Sequence, residues 1–262
     1  MSVPAELQPL VEDARHSVVL VDFDGSLAPI VANPALARPL PAARDALERL
    51  VPLVERVAVV SGRPVSFLLD ALGLDGIVYA GLYGLERLVD GEVTVDPRAE
   101  PWLEVMAQVA HDAEAAFPDL LVENKGRVAV TIHWRSAPSL AAQAQAFAAG
   151  LARRYDLDPP LRGRMSAELR PPVPVDKGTV TAELVSGASV AVFAGDDAGD
   201  LVAFDVLARL AESGAVAHTI RIGVRSAEAP PGIFDADVLV DGPRGLAVVL
   251  GDLATAISER AR

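Results

Sequence analysis

The chain has 262 residues, enough for one large domain or two modest ones, and its 51% hydrophobic and 23% charged residues are the proportions of a chain that folds around a core. Its 36 acidic residues outnumber 23 basic ones for a net charge of −13, which repels nucleic acid and anionic membranes, so neither is expected as a partner and an anionic ligand would need a locally positive pocket. Cysteine is absent, which excludes disulfides, a thiolate nucleophile and a cysteine-based zinc site and suits a reducing cytoplasm.

The first residues, Met1 to Leu7, carry no basic leader, and the apolar run Val18–Val21 is too short to span a membrane. A soluble cytoplasmic protein is therefore expected. Short β-branched runs at Val18–Phe23, Val57–Val60, Ile77–Ala80, Ser189–Ala194, Thr219–Val224 and Val238–Val240 read as buried parallel strands. Helical patterns at Ala42–Leu53, Val65–Leu72, Thr179–Val185, Leu201–Ala211 and Leu246–Ser258 separate most of them. This alternation predicts an α/β fold with a doubly wound, mostly parallel sheet, whose ligands bind at the carboxyl ends of the strands.

The middle of the chain breaks the alternation. A helix at Trp102–Phe117, strands at Leu120–Glu123 and Val128–Trp134, a helix at Leu140–Tyr155 and the stretch Ser166–Leu169 form an α+β segment, bracketed by Asp96-Pro97 and by Pro171-Pro172-Val173-Pro174. Such punctuation predicts an inserted domain over 98–172 in a core built from 1–97 and 173–262.

Four clusters carry chemistry. Asp22 and Asp24 stand two residues apart where the first strand ends, a pair that can share a hard cation, with Asp22 as a nucleophile and Asp24 passing protons. Gly25 and Ser26 follow, the glycine letting backbone N–H groups approach an anion; a plain Asp-Gly turn would look the same. Ser61, Gly62 and Arg63 suit a phosphate at a helix start, although a serine N-cap needs no ligand. Lys177 opens a helix after the proline-rich junction and, as a compact ammonium, can bridge a carboxylate and a phosphoryl oxygen. Asp196, Asp197 and Asp200 repel one another unless a cation such as Mg²⁺ joins them, or else form a solvated loop. Only two of the basic residues are lysines, Lys125 and Lys177, which marks both as candidates.

In this order the clusters resemble the haloacid dehalogenase superfamily. The resemblance implies Asp22 as nucleophile, Asp24 as acid/base, Ser61 and Lys177 on the phosphoryl group, Mg²⁺ on Asp22, Asp24 and Asp196 with Asp197 and Asp200 in support, and an insert of that superfamily's second cap type. Within the insert, Glu123-Asn124-Lys125, His133-Trp134-Arg135 and Glu168-Leu169-Arg170 suit a hydroxyl-rich ligand. A solvated polar face would show the same residues. Together with Asp22–Ile30 they resemble trehalose-6-phosphate phosphatases, which implies that Glu123, Lys125, His133, Arg135, Glu168 and Arg170 face a sugar. Two departures stand out: Tyr83 where the family has histidine in Gly-x-His-Gly-x-Glu, and Gly199 and Leu201 where it has Thr and Glu after Gly-Asp-Asp. The expected activity is Mg²⁺-dependent hydrolysis of trehalose 6-phosphate by a monomer through an aspartyl-phosphate. The departures leave another disaccharide or pseudo-sugar phosphate open, as well as a non-catalytic phosphosugar-binding regulator.

Overall fold

The computed structural model describes residues 3–31, 33–163, 165–225 and 235–262. Met1 and Ser2, at the start of the stretch read for a leader, lie outside them. The described chain forms two compact units, one of Met1–Gly84 with Val175–Arg262 and one of Leu85–Pro174. The sequence reading set these divisions at 97/98 and 172/173.

Elements are numbered along the chain. The first unit opens with α1 (Gln8–Glu12), β1 (Ser17–Val21), α2 (Pro41–Leu50), β2 (Arg56–Val60), α3 (Val65–Leu72) and β3 (Ile77–Gly81). The second unit holds β4 (Glu86–Val89), β5 (Glu92–Val95), α4 (Leu103–Ala116), β6 (Leu121–Lys125), β7 (Ala129–His133), α5 (Ala141–Arg154), β8 (Leu161–Gly163) and β9 (Ser166–Leu169). The chain then returns to the first unit with α6 (Lys177–Leu184), β10 (Val190–Gly195), α7 (Leu201–Glu212), β11 (His218–Arg225), β12 (Val238–Asp241) and α8 (Gly242–Arg260).

Six strands of the first unit lie in the order β12-β11-β10-β1-β2-β3, and every pairing among them is parallel. This is the doubly wound sheet that the β-α alternation predicts. Val18 to Val21 are fully buried and apolar, as a strand between two layers of helices must be. Helices α1, α2 and α8 pack together, as do α6 and α7, and α7 and α8 both lie against β11. From β1 the chain winds outward through β2 and β3, and later outward the other way through β10, β11 and β12. Their meeting point, β1 beside β10, is where such sheets open a crevice at the strand ends.

The second unit has a four-stranded antiparallel sheet in the order β6-β7-β9-β8. Strand alternation sorts its side chains. Val130, Ile132, Ala167 and Leu169 turn to a core shared with Met106, Val109, Ala113, Ala144, Ala148 and Leu151 of α4 and α5. Leu121, Glu123, Lys125, Thr131, His133 and Glu168 take the opposite face. The hairpin β4–β5 was not expected from the sequence. Its strands are short and mostly exposed, but its turn, Asp90-Gly91 with φ of 51° and 82°, is the left-handed pair that two-residue hairpins favour.

Candidate active site

Asp22 directly follows β1, and its N–H donates to the Ala194 carbonyl of β10 at 2.9 Å, so the parallel pairing continues to the residue that bears the carboxylate. Asp196 directly follows β10, and Lys177 is the first residue of α6. Three segments far apart in sequence thus deliver side chains to one point. The Lys177 ammonium donates to Asp22 Oδ1 at 2.7 Å and to Asp200 Oδ1 at 2.6 Å, and none of the three side chains is more than 6% exposed. Asp200 uses its other oxygen, Oδ2, to accept from the backbone N–H groups of Asp196 at 2.9 Å and Asp197 at 3.1 Å. It holds the acidic loop closed.

One carboxylate oxygen each from Asp22, Asp196 and Asp200 lies within 4.8 Å of the others. Burial, more than any other influence, pushes the Asp22 carboxyl well above its ordinary range; Asp200 and Asp196 push it further, and Lys177 opposes them. Burial likewise raises Asp200 against the pull of Lys177. For Lys177 burial works toward the neutral amine, yet Asp200 and Asp22 prevail and raise its ammonium well above the usual value. Three carboxylates gathered around one ammonium crowd negative charge, as the raised Asp22 and Asp200 record. Three hard oxygen donors in that state are the chemistry of a Mg²⁺ site. Gly25 makes the room: at φ 84° it is in the left-handed region, and a Cβ there would stand 2.0 Å from Asp196 Oδ2. The residues present fit a divalent cation.

Asp24 and Asp197, also expected at the metal, direct their carboxylates elsewhere. Asp24 accepts two hydrogen bonds from Arg63, and Asp197 Oδ1 accepts from the N–H of Gly199 at 2.8 Å, capping the turn before α7. Gly199, where the family has threonine, is thus part of that cap, and Leu201 begins the helix. Ser61, buried at the end of β2, accepts from the Arg63 N–H at 3.2 Å. Ser26 is buried, and its hydroxyl meets no partner among the described residues. Tyr83 and its neighbour Leu82 both have left-handed φ, 60° and 48°, a strained pair of the kind that gathers at functional sites. Their N–H groups donate to the carbonyls of Ser61 and Arg63, and a Cβ on Gly62 would stand 2.7 Å from the Tyr83 ring. Tyr83 therefore braces the Ser61–Arg63 turn.

In the second unit, the open sheet face pairs Lys125 Nζ with Glu168 Oε2 at 2.7 Å and His133 Nε2 with Glu123 Oε2 at 3.0 Å. Thr131, which the sequence reading did not single out, donates its hydroxyl to the same Glu168 oxygen at 3.2 Å. It stands two residues before His133 on β7, so strand periodicity places it on this face. Arg135 and Arg170 lie beyond the ends of β7 and β9, and Arg135 is exposed.

The doubly wound parallel sheet, with an acid pair after its first strand, a lysine opening a later helix and an acidic loop after the adjacent strand, has the fold of haloacid dehalogenase-like hydrolases. A solved structure of that description, from Bacteroides thetaiotaomicron, superposes with a TM-score of 0.57 at 16% identity over 89% of this chain and 98% of the other. The model of the trehalose-phosphatase family matches residues 20–231, and the chain belongs to that family. Trehalose-phosphate phosphatase of Mycolicibacterium paratuberculosis is 37% identical over 204 residues, 74% of this chain and 52% of the relative. The chain thus spans about half the length of the curated relatives it matches. A crystal structure described as a trehalose-6-phosphate phosphatase related protein superposes with a TM-score of 0.77 at 22% identity, covering 93% of this chain and 99% of that one.

Proposed function

We propose that the chain is a Mg²⁺-dependent phosphatase that hydrolyses trehalose 6-phosphate, with the first unit as catalytic core and the second as the cap that recognises the sugar. The observation that carries this reading is the buried cluster of Asp22, Asp196, Asp200 and Lys177 at the ends of β1 and β10. Such a cluster opposes folding unless it serves a ligand. Asp22 attacks phosphorus, the bond from phosphorus to the sugar oxygen breaks, and Asp24 gives that oxygen its proton. Asp24 then takes a proton from water, which attacks the aspartyl-phosphate, frees Asp22 and releases inorganic phosphate. Lys177 steadies the charge on Asp22 and on the transferring group. Asp22, Asp196 and Asp200 would hold a divalent cation, which would supply the positive charge that a phosphate dianion needs beside an ionised carboxylate. The Ser26 and Ser61 hydroxyls and the N–H groups after Gly25 and Gly62 are the proposed phosphate cradle.

The sugar is assigned to the open face of the second unit's sheet, where Glu123, Lys125, Thr131, His133 and Glu168 alternate donors and acceptors, with Arg135 and Arg170 at the strand ends. Among the described residues no helix is long and apolar enough to cross a membrane, and with the absence of cysteine this supports a cytoplasmic enzyme. The test is phosphate release from a panel of sugar phosphates with Mg²⁺ and with EDTA. Release from trehalose 6-phosphate above all other esters, abolished by EDTA, is the expected result. Release from none of them would leave a phosphosugar-binding regulator as the better reading.

A further inference from the structure

The sequence offers Arg63 as a phosphate ligand, and the structure pairs it with Asp24. Arg63 Nε donates to Asp24 Oδ2 at 2.6 Å and its Nη2 donates to Asp24 Oδ1 at 2.8 Å, a two-pronged pair whose side chains are 17% and 31% exposed. The guanidinium lies 4.5 Å from the ring centroid of Phe67, which stands in the first turn of α3. Phe67 in turn meets Phe23, the residue between Asp22 and Asp24, edge-on at 5.7 Å. The backbone on either side of this guanidinium is fixed as well. The Arg63 N–H donates to Ser61 Oγ, and its carbonyl accepts from the Leu82 N–H.

We propose that Arg63, held over the Phe67 ring, is the positioning residue for Asp24, fixing the plane in which that carboxylate faces the leaving oxygen. The proposal rests on the phosphatase reading above. A carboxylate just past the end of a strand can turn about two side-chain bonds. A planar fork bound to both of its oxygens removes that freedom, and a lysine, with a single point of attachment, would not. The aromatic platform does the same for the guanidinium. The chain therefore runs Phe23 to Phe67 to Arg63 to Asp24 and closes on itself, because Phe23 and Asp24 are neighbours. Such a closed brace can hold an acid/base group within the narrow geometry that proton transfer requires.

Positioning of the proton donor and binding of phosphate predict different kinetics. A sugar alkoxide is a poor leaving group and needs the proton; p-nitrophenolate leaves without it. For Arg63→Lys and Phe67→Leu, kcat/KM on trehalose 6-phosphate, which reports the steps up to departure of the sugar, should fall about tenfold or more. On p-nitrophenyl phosphate kcat/KM should fall less than about threefold, with inhibition by inorganic phosphate nearly unchanged; kcat on both esters also contains the hydrolysis of the aspartyl-phosphate, in which Asp24 takes a proton, so kcat does not separate the two readings. Circular dichroism and melting temperature establish that each variant folds. Phe67→Leu keeps the test alive if Arg63→Lys does not. Equal losses of kcat/KM on the two esters, or a weaker phosphate inhibition in Arg63→Lys, would make Arg63 a phosphate ligand and overturn the inference. So would wild-type rates in Arg63→Lys. An unaltered chain that hydrolyses neither ester overturns the phosphatase reading and the inference with it, whereas an active chain with uniformly impaired variants overturns only the inference.

Discussion

Each of the chain's two lysines marks one of the two candidate-site clusters, and these are built in opposite ways. Lys177 is 5% exposed among carboxylates drawn from three distant segments, while Lys125 is 14% exposed on one face of an antiparallel sheet, paired with Glu168 two strands away. The first cluster gathers three carboxylates around one ammonium, and burial and mutual repulsion raise Asp22 and Asp200 toward their protonated forms. The second is built from one-to-one pairs, Lys125 with Glu168 and His133 with Glu123. Reaction chemistry needs the first kind of site, because desolvated and mutually repelling groups gain most when charge moves. Recognition of a polyhydroxyl ligand needs the second, in which donors and acceptors are already oriented.

If that contrast holds, the largest effect comes from Asp22→Asn. The amide keeps the shape but not the nucleophile, so phosphate release should fall by about a thousandfold or more while circular dichroism is unchanged. Residual turnover near the wild-type rate would remove Asp22 from the reaction. Next is Lys177→Met, which strips the cation from two buried carboxylates and should cost about 3–5 kcal/mol of stability in urea unfolding. Added Mg²⁺ should restore part of the loss, and in the unaltered protein it should raise the melting temperature, an increase that Asp196→Asn abolishes. A melting temperature indifferent to Mg²⁺ would mean that the three carboxylates are not a metal site.

Smaller effects test the second cluster. Glu123→Ala should lower kcat/KM on trehalose 6-phosphate by about 1–3 kcal/mol of transition-state stabilisation and leave p-nitrophenyl phosphate almost untouched. Equal losses on both would withdraw the sugar assignment of this face. Thr131→Val keeps the shape and removes one hydrogen bond to Glu168, so about 1 kcal/mol on the sugar ester is expected. The smallest effect lies away from both clusters. Burial works to raise Asp237, but its hydrogen bonds from Arg221 prevail and lower it. The pair therefore contributes stability above the ordinary carboxylate range, lost as pH falls through the lowered folded value. Being partly exposed, it should be worth under about 1 kcal/mol, read as a slightly smaller loss of stability on acidification in Asp237→Asn.

Much of this was legible in the residues. The apolar run ending in Asp22 and the run ending in Asp196 could only be buried strands, because one-sided alternation is absent from both, and parallel strands buried on both faces put their polar residues at their ends. Period-two alternation in Thr131-Ile132-His133 likewise tells which residues share a face, whereas Glu123-Asn124-Lys125 is polar throughout and Lys125 lies beyond the strand expected at Leu120–Glu123. Fold class and most candidate residues follow from such local rules. What the sequence could not supply was partner choice. Nothing in Ser61-Gly62-Arg63 says whether the guanidinium turns to a phosphate or to Asp24, 39 residues earlier. Among five neighbouring or near-neighbouring acids, only the pairing of β1 with β10 selects Asp22, Asp196 and Asp200 for one cluster and leaves Asp24 to Arg63 and Asp197 to a turn. Periodicity acts along a strand or helix and is written in adjacent residues; the distance between two carboxylates depends on strand order and register, which only the assembled sheet fixes.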